Sequence, residues 1–240
     1  MLSKDEVKYI QSLYHKKQRQ QEGLFIAEGP KLLSELLASD YAIQKIYAVD
    51  NWLANNAAIT HSIVMVTTDE LQRISNLQTP NQVIAIVQQK TTITAPIFTN
   101  KISIVLDGIQ DPGNLGTIIR NADWFGITQL ICSHNTVDLY NPKVIQSTMG
   151  SFTRTNIWHT DLTAVLANVT VPIYGALLQG QSIYKVTKPT AGILVIGSEG
   201  NGISNAIMPL ITNPITIPKI GGAESLNAAV AMGILVAHLV

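Results

Sequence analysis

The chain has 240 residues, enough for one large domain or two ordinary ones. Hydrophobic residues make up 46% and charged residues only 13%, which excludes a disordered chain. The formal net charge is zero, so bulk attraction to nucleic acid is excluded and any such contact must come from local patches.

The N-terminus, MLSKDEVKYI, is charged and lacks an apolar signal core, so a soluble cytoplasmic protein is expected. The polar segment Ser3 to Gln21 is predicted to be helical. Within it, Lys8, Lys16, Lys17 and Arg19 form a basic stretch with no acid between Val7 and Gln21. With Tyr9, Tyr14 and His15 nearby, it is a candidate contact for a phosphate backbone, and a solvated helix face is the alternative. Leu24 to Ala27 has strand character, Glu28-Gly29-Pro30 breaks it, and Pro30 suits the first turn of a helix through Ala38. Ile43 to Val49, Ile63 to Val66 and Val83 to Val87 read as strands, with a helix starting near Thr68 or Asp69. Strands alternating with helices imply a small α/β domain. Gln89 to Asn100 is rich in Thr, holds Pro96 and lacks helical periodicity, as a linker does. The expected division is therefore a domain over 1–90, a linker over 91–101 and a second domain over 102–240.

In the second domain, strands are predicted at Ile102 to Leu106, Gln129 to Cys132, Pro172 to Ala176, Ile193 to Ile196 and Ile215 to Ile217. Helices are predicted at Leu115 to Phe125, Pro142 to Met149, Leu162 to Ala167 and Leu226 to Leu239. Strands apolar on both faces and separated by helices indicate a mainly parallel sheet covered on both sides. The only cysteine, Cys132, reads as a core residue; it rules out an intrachain disulfide, which fits a reducing compartment. The histidines show no ligand spacing, so no metal is expected. The longest apolar run, Ala228 to Ala237, is too short for the ~20 residues of a membrane helix.

Glycine-rich turns follow the strands ending at Leu106, Ile196 and Ile217: Asp107 to Gly116, Gly197 to Gly202, and Ile217 to Asn227. Parallel α/β folds bind ligands at that edge, and glycine permits close backbone approach. A dinucleotide fits poorly, because glycines at 108, 113 and 116 are not spaced G-x-G-x-x-G. A P-loop is excluded, because no such turn ends in Gly-Lys-Ser or Gly-Lys-Thr.

These turns resemble the motifs of the SpoU (TrmH-like) methyltransferases of the SPOUT class. Asn114-Leu115-Gly116-Thr117-Ile118-Ile119-Arg120-Asn121-Ala122 resembles the first motif, Gly197-Ser198-Glu199-Gly200-Asn201-Gly202 the second, and Ile217-Pro218 with Glu224-Ser225-Leu226-Asn227-Ala228-Ala229-Val230-Ala231 the third. The stretch around Phe25-Ile26-Ala27-Glu28-Gly29-Pro30-Lys31 is similar to the substrate-binding domain that such enzymes often carry. The resemblance implies a C-terminal trefoil-knotted, mainly parallel sheet flanked by helices, behind a small N-terminal α/β domain. It implies a homodimer whose active site forms at the subunit interface. The implied activity is transfer of a methyl group from S-adenosyl-L-methionine to a ribose 2′-hydroxyl of RNA, with ribosomal RNA favoured over transfer RNA. A knotted RNA-binding protein without activity is the rival reading.

By the same resemblance, Gly197, Ile217 and Leu226 contact the cofactor, with Ala176 beside them. Arg120 approaches the ribose hydroxyl and adjacent phosphate. A guanidinium is hard to deprotonate, so orientation and charge stabilisation suit it better than general base catalysis. Asn114 is expected to orient Arg120 or the substrate, or to cap its helix. Glu199 is expected to order its loop and face the partner's arginine. Ser225 and Asn227 are expected to bind substrate or hold the last loop, with Ser225 also suited to cap the last helix. Lys16, Lys17 and Arg19 are the expected RNA contacts, and Lys219 departs from the apolar residue expected after Ile217-Pro218.

Overall fold

The computed structural model describes residues 2–92 and 94–240; Met1, and Ile93 in the expected linker, lie outside the described residues. The chain divides into two compact units, Met1–Thr91 with Tyr140–Thr153, and Thr92–Leu139 with Arg154–Val240.

The first unit opens with α1 (Lys4–Ser12), capped by Ser3, whose hydroxyl accepts from the Glu6 N–H at 3.1 Å. The single helix expected over Ser3 to Gln21 is broken, because α2 (Lys16–Glu22) starts afresh and stops at Gly23 in the left-handed region. The break explains Arg19, whose expected RNA role the structure corrects. Arg19 is only 2% exposed, and its guanidinium donates to the carbonyls of Leu13 and Tyr14 at 3.4 and 2.7 Å. Those carbonyls lie where the first helix ends and leaves acceptors without helical partners. Lys16 and Lys17 are exposed.

There follow β1 (Leu24–Glu28), α3 (Pro30–Leu37), β2 (Ile43–Ala48), α4 (Asp50–Ala54), β3 (Ile63–Met65), α5 (Thr68–Ile74) and β4 (Val83–Gln88). Thr67 and Glu70 form a reciprocal capping box that fixes the start of α5. The strands order as β1-β4-β2-β3, with β4 antiparallel to both neighbours and β2 parallel to β3. Val7, Ile10 and Leu13 sit on the inner side of the helical N-terminus and meet Ile26, Tyr47, Leu71, Ile84 and Ile86 in one core. Residues 140–153, expected to belong to the C-terminal domain, pack with this unit instead. Aromatic contact explains it: the Tyr140 and Phe152 rings lie 4.7 and 5.9 Å from Phe25, and Phe152 is 5.3 Å from Tyr41. This segment carries α7 (Pro142–Thr148), capped by Asn141.

In the second unit, β5 (Ile102–Asp107), β6 (Gln129–Ser133), β7 (Asn156–Thr160), β8 (Ile173–Ser182), β9 (Gly192–Gly197) and β10 (Asn213–Thr216) form one sheet, ordered β10-β8-β9-β5-β6-β7. Every neighbouring pair is parallel, as strands apolar on both faces predict. Around it lie α6 (Pro112–Trp124), α8 (Leu162–Leu166) and α9 (Ala228–Leu239). Leu162 and Leu166 pack with Val105, Ile131, Ile193 and Val195, while α9 packs against α6, β8 and β9. The expected linker is pinned to this unit: the Trp158 indole donates to the Thr94 carbonyl at 2.7 Å, and the buried Gln129 amide exchanges two bonds with the Ile97 backbone.

β8 runs six residues beyond its predicted end at Ala176, and its pairing with β10 jumps from Gly175 opposite Pro214 to Gln181 opposite Ile215. Residues 176–180 therefore arch out of the ladder, and a Cβ on Gly180 would lie 2.8 Å from the Pro214 carbonyl carbon.

Candidate active site at the carboxyl edge of the parallel sheet

All six strands of the second unit are parallel, so the segments that follow them gather at one edge. The first is the start of α6. Asp111 caps this helix by accepting from the Asn114 N–H at 2.8 Å, and Pro112 occupies its first turn. The cap is therefore Asp111, which leaves the Asn114 side chain free for another purpose.

That purpose is a junction. The Asn114 amide N–H donates to the Glu199 carboxylate, and its carbonyl oxygen accepts from the Asn227 amide at 2.8 Å. Asn114, from the first turn, thus bonds one residue from each of the other two. Asn227 also caps α9 through its side-chain oxygen, which accepts from the N–H groups of Ala229 and Val230 at 3.0 and 3.3 Å. The cap expected of Ser225 falls two residues later because α9 begins at Ala228. Ser225 is exposed and outside the junction.

The second turn is held by its own backbone. Ser198 and Gly202 exchange N–H to carbonyl bonds at 3.0 and 2.9 Å, closing a tight hairpin around Glu199. Gly197 is glycine for this reason: a Cβ there would sit 2.1 Å from Gly202 C and 2.2 Å from Ile203 N. Buried Asp107, at the end of β5, accepts from the Ser204 N–H at 2.7 Å and ties the turn to the sheet. Asn121 reaches from α6 to the Ala229 carbonyl at 3.1 Å and clasps α9. Sequence reasoning gave no role to Asp107 or Asn121; the signals were a carboxylate ending a buried strand and an amide inside the first motif.

Arg120 stands apart from the junction. It is exposed on α6, and among the described residues it has no hydrogen-bond or ion-pair partner. It shares the exposed stripe of that helix with Thr117 and with Trp124, which is 85% exposed. Glu199 likewise has no cationic partner among the described residues. Val230 and Ile234, one turn apart on α9, are also exposed.

Ala176 opens the arch of β8, Gly197 ends β9, Ile217 follows β10, and Leu226 precedes α9. The Thr216 hydroxyl donates to the Leu178 carbonyl at 3.2 Å and joins the arch to the end of β10. This set offers backbone polar groups and apolar side chains with no charge among them, a donor chemistry that fits an adenosyl group. Among the described residues, no group of three or more His, Cys, Asp or Glu side chains is placed to hold a metal ion. No helix among them is long and apolar enough to cross a membrane.

Comparison with known proteins agrees with this geometry. The SpoU rRNA Methylase family matches residues 101–237, and the MRM3-like substrate binding domain matches residues 4–85. The chain belongs to the SpoU rRNA methylase family. It is 30% identical over 239 residues to the 23S rRNA (guanosine(2553)-2'-O)-methyltransferase RlmP of Bacillus subtilis, covering 98% of this chain and 95% of that protein. Among solved structures, a putative TrmH-family RNA methyltransferase from Porphyromonas gingivalis is 36% identical with a TM-score of 0.89, covering 100% of this chain and 98% of its own. An AdoMet-bound rRNA methyltransferase from Sinorhizobium meliloti is 26% identical with a TM-score of 0.88, covering 100% of this chain and 95% of its own.

Proposed function

We propose that this protein methylates a ribose 2′-hydroxyl of ribosomal RNA with S-adenosyl-L-methionine. The junction of Glu199, Asn114 and Asn227 carries the reading, since it joins the three SpoU motifs at one point of the sheet edge. Support for ribosomal RNA as substrate comes from the likeness to RlmP across nearly the whole chain. With its substrate in the cytoplasm, the enzyme works there too.

Gly197, Ile217, Leu226 and Ala176 hold the cofactor, which supplies a methyl group made electrophilic by its sulfonium. The residues of the chain do the rest by position and charge. Arg120 donates to the ribose hydroxyl and the neighbouring phosphate and stabilises negative charge as the hydroxyl proton leaves. Glu199 and Asn227 fix both ends of the Asn114 amide, which orients the groups around it. Ser225 lies two residues before Asn227 and is free to meet substrate. Lys16 and Lys17 attract the RNA backbone from the first unit.

The enzyme works as a homodimer. The exposed Trp124, Val230 and Ile234 support this, because apolar side chains on two packed helices need a cover. The unpaired Arg120 and the Glu199–Asn114 junction support it as well: charges unmet within one chain are met when each subunit lends its arginine to the other's junction. The last segment threads the loop before it to form a trefoil knot; the passage of α9 back to α6 and β9 supports that path.

The test is transfer of labelled methyl to unmodified ribosomal and transfer RNA, followed by alkaline digestion to detect protected 2′-O-methyl dinucleotides. Wild-type protein should label ribosomal RNA, and Arg120→Ala should lower kcat by about 10²–10³ with unchanged stability. Label confined to transfer RNA, or full activity in the variant, would overturn the substrate or the role of Arg120 respectively.

A further inference from the structure

The first unit carries a cleft of about 370 Å³, within the size range of small-molecule sites. Its walls are one face of α3, with Ser34 and Leu37; the end of α4, with Trp52, Asn55 and Asn56; and Gln82 in the turn before β4. Among the described residues, no Lys, Arg, Asp or Glu lines it. A phosphate or a charged metabolite is therefore a poor match, and a neutral ligand with a polar rim is a good one.

The polar groups have capacity to spare. Asn55 and Asn56 each donate one N–H back to α4, to the carbonyls of Asn51 and Trp52 at 2.8 Å. These bonds fix both amides and leave their oxygens as acceptors. The side chains of Ser34 and Gln82 bond nothing among the described residues. Trp52 is only 5% exposed, yet its indole N–H meets no acceptor among the described residues. That N–H is not sealed from solvent, so it stands as a donor that an acceptor on a ligand in the cleft can meet. The Gln82 backbone is held at φ +60°, a conformation seldom adopted by residues other than glycine, and the Val49 N–H donates to its carbonyl at 3.0 Å.

We infer that this cleft receives one unpaired nucleobase of the RNA substrate. A base is neutral, flat and rimmed with donors and acceptors, and single-stranded RNA is read by splaying such bases out against aromatic and amide side chains. The inference rests on the reading of the protein as an enzyme acting on RNA. It adds that the first unit selects sequence through one nucleotide as well as gripping the backbone.

The full-length protein is titrated with fluorescent RNA hexamers of a single base, adenine, cytosine, guanine or uracil, and with an abasic hexamer of equal charge. At least one base type should bind at least tenfold tighter than the abasic strand. Ser34→Trp fills the cleft from an exposed helix position and should abolish that difference, leaving abasic binding unchanged. Trp52→Phe keeps a ring, deletes the N–H and should reduce the difference several-fold, which guards against misfolding of the first variant. Equal binding of all five strands, or a difference that survives Ser34→Trp, overturns the inference. Methyl transfer by the wild type, run alongside, separates the two readings: transfer with equal binding sinks the cleft alone, whereas base-selective binding without transfer sinks the enzyme and keeps the cleft.

Discussion

Replacing Gly197 by alanine tests how the second turn is built. The new Cβ would lie 2.1–2.3 Å from the backbone of Gly202 and Ile203, where nothing flexible can move aside. Relief requires the hairpin to open, which breaks the paired Ser198–Gly202 bonds and strains the bond from Ser204 to Asp107. Two backbone bonds and one charge-assisted bond are together worth about 3–5 kcal/mol. That is a large part of a typical stability of about 5–15 kcal/mol. Glu199 would move with the hairpin and release Asn114, so activity should fall with stability. Two neighbours calibrate the result. Gly200 has open space around its Cβ position, and Gly200→Ala should change stability by less than about 0.5 kcal/mol. Gly202 has φ +66° with open space, and Gly202→Ala should cost about 1–2 kcal/mol from backbone strain alone. Urea unfolding of the three variants, with cofactor titration by calorimetry, measures both effects. A Gly197→Ala protein as stable as Gly200→Ala would refute the account of the turn.

Asn227→Asp keeps an oxygen to cap α9 but loses the donor to Asn114, so methyl transfer should drop while the melting temperature holds; Asn227→Ala should lose both, with about 1 kcal/mol of stability. An Asp variant with full activity would remove the junction from catalysis. Trp124→Glu places a charge on the exposed face of α6 and should convert dimers to inactive monomers in sedimentation, and an active monomer would end the shared-site reading. The Glu6 carboxyl is held below its ordinary value of 4.5, first by the Lys45 ammonium and then by the Tyr47 hydroxyl. Its contribution is therefore present above that value and fades as pH falls through the lowered folded one. Glu6→Gln should cost about 0.5–1 kcal/mol at neutral pH and nothing in acid, and a penalty independent of pH would disprove the ion pair's role.

The parallel sheet was legible because its central strands are short apolar runs such as Ile102 to Leu106 and Ile193 to Ile196, bounded by glycine or charge. The edge strand β7 escaped, since Asn-Ile-Trp-His-Thr shows little of that pattern and is fixed by pairing with β6. The break between α1 and α2 escaped too, because Val7, Ile10 and Leu13 keep helical spacing up to it and no Gly or Pro marks it. Arg19 followed from that error. In one long helix it would join a basic face, whereas in the broken one it turns inward to satisfy the carbonyls at the break. At the candidate site, the glycine-rich turns lie at one edge of the sheet, where the sequence put them. They did not reveal that Asn114 joins all three, because a bond across 85 or 113 residues leaves no local trace. Gly197 was assigned to ligand approach, yet its own chain already demands glycine there.

The Asn114 junction also sets a schedule for the newborn protein. Its members lie 85 and 113 residues apart along the chain, so the site cannot exist until its last member has been made. At about 5–20 residues per second, Asn114 emerges on the order of ten seconds ahead of Asn227. The first strands of the sheet meet water in the meantime, with apolar surface that α9 later covers. A site assembled this way is silent until Asn227 has been made and has reached Asn114.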